Sequence, residues 1–260
     1  MTLNPSKHIS FKLLNIIIFC KSLFENFLIL IVRILTKTKK NNLPHTVNIP
    51  TATYAPWKKD LAFLSTYRLI KEYTLVDIYK LYDNWKIIEQ VSSINGDLIE
   101  VGVWKGGSGC IIGKKLQNEG INATLHLCDT FEGVVKATNL DNKYTGGEFS
   151  DTDPIIVKNV AEKIGLKHIN ILKGIFPEET GRNLAKRKFR LCHIDVDTYQ
   201  SAKDIFEWVW PKLNKGGVVI FDDYGGIGCE GITNLVNELG KKPDNIFIHN
   251  LNGHGILFKI

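Results

Sequence analysis

From residue 97 onward, short apolar runs alternate with stretches of helical spacing, and that alternation leaves few architectures open. Residues 97–103, 124–129, 169–173, 189–195 and 216–222 read as strands. Residues 108–119, 154–164, 201–210 and 231–239 read as the helices that follow four of them, and residues 76–91 as a helix before the first, ended by Asn95-Gly96. Strands joined through helices make βαβ units, hence a doubly wound, mostly parallel α/β sheet with right-handed crossovers. Residues 246–249 and 255–260 have no helix between them and are expected to form a C-terminal hairpin, bringing an antiparallel strand to the edge. No internal repeat is visible.

Ligands of such sheets bind beyond the carboxyl ends of the strands. After the first strand comes Glu100-Val-Gly102-Val-Trp-Lys-Gly106-Gly107-Ser108, spaced E-x-G-x-x-x-G rather than as the dinucleotide G-x-G-x-x-G. Glycines let the backbone come close to a ligand, and the free N–H groups of a first helical turn suit a carboxylate. A tight turn with no ligand would use the same glycines. Asp129 ends the second strand, where an acid can accept hydrogen bonds from ribose hydroxyls. Together the two features indicate an adenosine-type ligand.

The next strands end in His193-Ile-Asp195-Val-Asp197-Thr-Tyr199 and Phe221-Asp222-Asp223-Tyr224. Four carboxylates converging on one crevice repel unless they are protonated, paired with bases or bridged by a cation. A hard divalent ion such as Mg²⁺ suits oxygen-only ligands. The alternative is that Asp197 or Asp223 caps the helix that follows it. His193 reads as a buried or supporting group, His249 and His254 carry no assignment, and Trp208 and Trp210 read as core.

Charge is distributed unevenly. Residues 1–60 hold nine Lys/Arg against Glu25 and Asp60, or +7, so the rest of the +6 chain sums to −1. A nucleic-acid-binding domain would carry its positive charge on the folded body, so that class is set aside. The five cysteines form no C-x-x-C pair, which speaks against a zinc cluster or disulfide framework and suits a reducing, cytoplasmic setting. Residues 11–35 are rich in Ile, Leu and Phe, but Lys21 and Glu25 interrupt the run of roughly 20 apolar residues that a spanning helix needs. Helical spacing gives them a wide apolar face, followed by Lys37, Lys39 and Lys40. Such a helix fits the cytoplasmic face of an anionic membrane, or packing on the domain or on a second copy in a homo-oligomer. A cleaved signal is the third alternative. Residues 36–56, with three prolines, read as a linker, so residues 1–60 and 61–260 are expected to be separate units.

Taken together, residues 96–107, Asp129-Thr-Phe-Glu-Gly133, His193–Tyr199 and residues 216–224 resemble the macrocin-type O-methyltransferases, which methylate sugar hydroxyls of macrolide and aminocoumarin antibiotics. The likeness runs over residues 70–260. It implies a class I, Rossmann-like methyltransferase fold with S-adenosylmethionine (SAM) as methyl donor. Asp129 would hold the SAM ribose, and Glu100, Gly102, Gly106, Gly107, Ser108 and Asp195 would face the rest of SAM. It further implies Mg²⁺ on Asp195, Asp222 and Asp223, and Asp197 as general base. Residues 1–60 lie outside the resemblance, so the acceptor can be a glycan or lipid-linked sugar of polysaccharide biosynthesis as readily as a glycosylated secondary metabolite. The rival functions are methylation of a catechol-like phenol, nicotinamide-dependent oxidoreduction, and SAM binding without catalysis.

Overall fold

The structure, a computed structural model, describes residues 23, 24, 26–31, 34, 43–45 and 52–260. It divides into two compact units, Met1–Thr53 and Tyr54–Ile260. In the first, residues 23, 24, 26–31 and 34 have helical backbone; the remainder of the expected 11–35 helix, and most of the 36–56 linker, lie outside the described residues. Among the described residues no helix is long and apolar enough to cross a membrane.

In the second unit, strand β1 (Asp97–Val101) lies inside the sheet. It pairs in parallel with β2 (Leu125–Asp129) on one side and β4 (Phe189–Ile194) on the other. Outward lie β3 (Ile169–Lys173) beside β2 and β5 (Leu213–Phe221) beside β4, both parallel. The hairpin of β6 (Asn245–Asn250) and β7 (His254–Lys259) joins through β7, antiparallel to β5, giving the order β3-β2-β1-β4-β5-β7-β6. The expected mixed sheet with a terminal hairpin is therefore observed. The chain reverses its direction of travel between β1 and β4, which opens a crevice at their carboxyl ends.

The helices are α1 (Leu61–Ile70), α2 (Ile78–Gln90), α3 (Gly107–Asn118), α4 (Pro154–Lys163), α5 (Tyr199–Val209) and α6 (Glu230–Leu239). Neighbouring residues of each strand serve opposite faces. Leu98, Leu191 and Val218 pack with Ile88 of α2, Ile112 and Leu116 of α3 and Val157 of α4. Ile99, Cys192 and Val219 pack with Ile205 and Val209 of α5 and with Ile232 and Val236 of α6. Burial on both faces is why these strands read as continuous apolar runs. Each fully buried Leu or Ile contributes about 1.5–3 kcal/mol relative to exposure.

Several boundaries differ from the sequence reading by one to three residues, some of them for local reasons. Helix α2 starts at Ile78, not at residue 76, because the Asp77 side chain accepts from the N–H groups of Tyr79 and Lys80 and caps it. Strand β5 begins at Leu213, not residue 216, because it continues across an irregularity opposite Phe189/Leu191, with Gly216 at φ +80°. The second compact unit opens at Tyr54. Trp57 packs edge-on against Tyr79 at 5.2 Å, and Asp60 accepts from Phe63 N and Trp85 Nε1, which ties this segment and α1 to α2.

Candidate active site

Ladder hydrogen bonds continue one residue past the strands: Asp195 N donates to Val101 O and Asp222 N to Ile194 O, both at 2.9 Å. This sets the ends of β1, β4 and β5 side by side and stands their acids at the switch point. A cavity of about 470 Å³ opens there. Its wall includes Gly102, Ser108 and Asp129 together with Asp195, Asp197, Asp222 and Asp223. Thr74–Asp77 and Lys80 border it from the α2 side, and Lys143, Tyr144 and Phe149 from the long β2–α4 loop.

Gly102 has φ +87°, and a Cβ there would lie 1.6 Å from the Asp195 carbonyl oxygen, so only glycine lets the β1 turn close onto the end of β4. Asp129 holds that turn from the β2 side. Its Oδ2 accepts from Val103 N at 2.6 Å and Trp104 N at 2.9 Å, while Oδ1 accepts from Phe131 N at 2.6 Å. A carboxylate has about four acceptor directions, so a ribose hydroxyl remains within its capacity. Ser108 and Asp195 line the cavity as well. Glu100, Gly106 and Gly107 are buried and do not reach the wall: Glu100 accepts from His193, and a Cβ on Gly106 or Gly107 would meet Val157 or Tyr73. These three shape the loop from behind.

The four acids do converge. Asp195, Asp222 and Asp223 each offer a carboxylate oxygen within 4.8 Å of the others. Burial and the charges of Asp222 and Asp223 raise Asp195 well above the usual carboxylate range. Burial, with Asp197 and Asp222 beside it, raises Asp223 to about 8. Burial also raises Asp197, against a lowering hydrogen bond from the Tyr144 hydroxyl. Burial alone would raise Asp222 too, but His193, His254 and the Lys80 ammonium hold it well below its usual value.

Asp222 is the best supported of the four. Lys80 Nζ donates to its Oδ2 at 2.9 Å and to its carbonyl at 2.6 Å. On the other oxygen, His254 Nε2 lies at 3.1 Å and His193 Nε2 at 3.4 Å. His193, wholly buried, spans from Asp222 to Glu100 Oε1, 2.9 Å from its Nδ1. Burial would lower this imidazole, yet the two carboxylates carry it up to about 10. The expectation of a supporting His193 agrees with this arrangement.

Asp197 has φ +63°, a conformation that Asp tolerates better than most side chains, and its N–H donates to Asp223 Oδ2 at 2.9 Å. It does not cap α5, whose N-cap is Thr198. The Tyr144 hydroxyl lies beside the Asp197 carboxylate and works against its rise, and Lys143 Nζ donates to the Tyr144 oxygen at 3.1 Å. Cys229 Sγ stands 3.9 Å from Asp197 Oδ1. The sequence motifs give Lys80, Tyr144 and His254 no role. Each reaches the acids from a distant segment, and nothing in its own neighbourhood marks it.

A profile described as Macrocin-O-methyltransferase (TylF) matches residues 68–246. The chain is 30% identical over 146 residues to the 8-demethyl-8-(2,3-dimethoxy-alpha-L-rhamnosyl)-tetracenomycin-C 4'-O-methyltransferase of Streptomyces olivaceus, covering 52% of this chain and 56% of that protein. It is 26% identical over 144 residues to the mycinamicin III 3''-O-methyltransferase of Micromonospora griseorubida, covering 50% and 56%. The match thus spans little more than half the length of these relatives. Among solved structures, the O-methyltransferase NovP shares the fold, with a TM-score of 0.60 at 22% identity over 72% of this chain and 82% of that one.

Proposed function

The chain belongs to the macrocin O-methyltransferase family, and from that premise we propose that it transfers a methyl group from SAM to a hydroxyl of a sugar. The observation that carries this reading is the cavity itself, lined by a glycine turn that Asp129 holds and by Asp197 among three further acids. Its volume is in the range of cofactor sites. Gly102, with no room for a side chain, leaves the methionine end of SAM a bare backbone edge. The fit to a divalent cation rests on chemistry: three hard oxygen ligands lie within 4.8 Å, and burial with neighbouring acids disfavours the ionised forms of Asp195 and Asp223, which a cation would favour. Asp195, Asp222 and Asp223 would hold Mg²⁺.

When bound, the cation supplies Lewis-acid polarisation of the acceptor oxygen, and the sulfonium supplies the methyl group and takes back the electron pair of the broken C–S bond. The protein's part is alignment and proton removal. Asp197 accepts the acceptor's hydroxyl proton as the new C–O bond forms. The Asp223 carboxylate holds the backbone N–H of Asp197, and the Tyr144 hydroxyl stands beside the Asp197 carboxylate. Tyr144 and Phe149, 6.3 Å apart, give the cavity mouth an aromatic wall against which a sugar ring can lie. The relatives named above act on sugar-bearing natural products; for this chain a glycan, a lipid-linked sugar and a glycosylated metabolite are the acceptors to screen. With labelled SAM, transfer to at least one such sugar, abolished in Asp197→Asn, is expected. Transfer confined to catechol-like phenols would replace this reading.

The Met1–Thr53 unit adds a place of action. Leu23, Phe24, Phe27, Leu28, Leu30, Ile31 and Ile34 are all exposed on helical backbone. In the sequence Arg33, Lys37, Lys39 and Lys40 follow, each contributing about 1 kcal/mol near an anionic surface. This combination supports docking on the cytoplasmic leaflet. The full chain should sediment with phosphatidylserine vesicles and remain behind with phosphatidylcholine vesicles at high salt. No sedimentation with either would remove the membrane from the account.

A further inference from the structure

We propose that Lys80 is the resident counter-cation of the acidic cluster, a positioning residue that holds Asp222 and so keeps a divalent ion at this site weakly bound and exchangeable. The inference rests on the cation reading above.

The lysine arrives from the first turn of α2, 142 residues before Asp222. The Asp77 cap fixes its backbone by accepting from Lys80 N at 3.1 Å. Its stem runs beside Gly253, where a Cβ would come within 3.2 Å of Cε. The side chain is only 17% exposed, and its ammonium makes two short contacts with one residue, Asp222 O and Oδ2. It also lies in the field of Asp223 and Asp195. This is a built ion pair, not a surface lysine that happens to fall on an acid.

For a divalent ion the consequence is competition. Asp222 Oδ2 is taken by Lys80 and Oδ1 faces His254 and His193, so both oxygens already have partners within 3.4 Å. Asp223 Oδ2 is taken by Asp197 N. An ion bound by the three acids must share Asp222 with a positive charge only a few ångströms away. At an effective dielectric constant of about 20, a unit charge about 5 Å from a divalent ion amounts to several times the thermal energy. Lys80 thus sets the affinity, holding Asp222 in place when no ion is bound and weakening the ion when one is.

The test is Mn²⁺ titration followed by electron paramagnetic resonance, on the full chain and on Lys80→Met, Lys80→Gln, Lys80→Arg and Asp195→Asn. Lys80→Met and Lys80→Gln should each bind Mn²⁺ at least about tenfold more tightly than the parent, while Lys80→Arg, which keeps the charge, should bind like the parent. Glutamine retains a hydrogen bond to Asp222, so it decides the matter if the methionine variant does not fold. Equal or weaker binding in the neutral variants overturns the role of Lys80, provided Asp195→Asn still loses binding. Unchanged binding in Asp195→Asn, or none in any protein, removes the cation reading itself and Lys80 with it.

Discussion

The backbone N–H of Asp197 donates to Oδ2 of Asp223 at 2.9 Å, so the carboxylate proposed as base hangs from one proposed for the cation. Damage to either should therefore reach both. Asp197→Asn and Asp223→Asn are each expected to lower kcat by about 100-fold or more. The double variant should be little worse than the poorer single one, because residues that act as a unit are not additive. Steady-state kinetics on the four proteins checks this, and losses that simply multiply would show two independent roles.

Asp129 is expected to serve turn and methyl donor together. Asp129→Ala should weaken SAM binding by about 1–3 kcal/mol, through lost charge-assisted hydrogen bonds and a loosened turn at Val103 and Trp104. Asp129→Asn, which retains an acceptor oxygen, should lose less. Calorimetry with SAM and its demethylated product measures both. Tight NAD binding with no response to SAM would overturn the assignment.

The parts legible in the sequence are those with local causes. Strands buried on both faces leave apolar runs, and acids at strand ends keep their place whatever the loops do, so the sheet and the convergence of Asp195, Asp197, Asp222 and Asp223 can be read directly. Helix α1 is harder to read, because its buried positions Phe63, Thr66 and Ile70 keep the helical spacing while the exposed Leu61 and Leu69 blur it. Lys80 is equally silent, because a lysine on a helix reads as solvent-facing and its acid is supplied by tertiary folding. The partner of Glu100 is equally hidden, because His193 comes from the neighbouring strand.

Two glycines with positive φ should respond very differently to alanine. Gly120, at φ +66°, has nothing within 4 Å of where a methyl group would stand. It meets only the left-handed backbone cost, so Gly120→Ala should destabilise by about 1–2 kcal/mol. Gly102→Ala would drive a methyl group into the Asp195 carbonyl and should abolish SAM binding or folding. Denaturant unfolding and SAM calorimetry distinguish them; equal effects would contradict the tight turn.

Asp60→Ala removes the α1 cap and leaves the indole N–H of Trp85, a residue 1% exposed, without its acceptor. The expected loss is about 2–4 kcal/mol, summing a cap and a buried unpaired donor. A change below about 0.5 kcal/mol in urea unfolding would mean that this segment is not part of the cooperative unit.

Removal of divalent cations should stop turnover, and added Mg²⁺ should restore it, while SAM binding survives because Asp129 and the glycine turn need no cation. Full turnover in chelator would leave Asp195 and Asp223 without their proposed partner.

Strand β7 follows every other strand in sequence yet lies between β5 and β6 in the sheet, and it delivers His254 to Asp222. A nascent chain can therefore lay down β1 through β5 and still lack one of the groups that hold its most heavily supported acid. Assembly of the acidic site is thereby tied to the last pairing event of the sheet, and a chain stalled before it would expose the edge of β5 instead of a finished crevice.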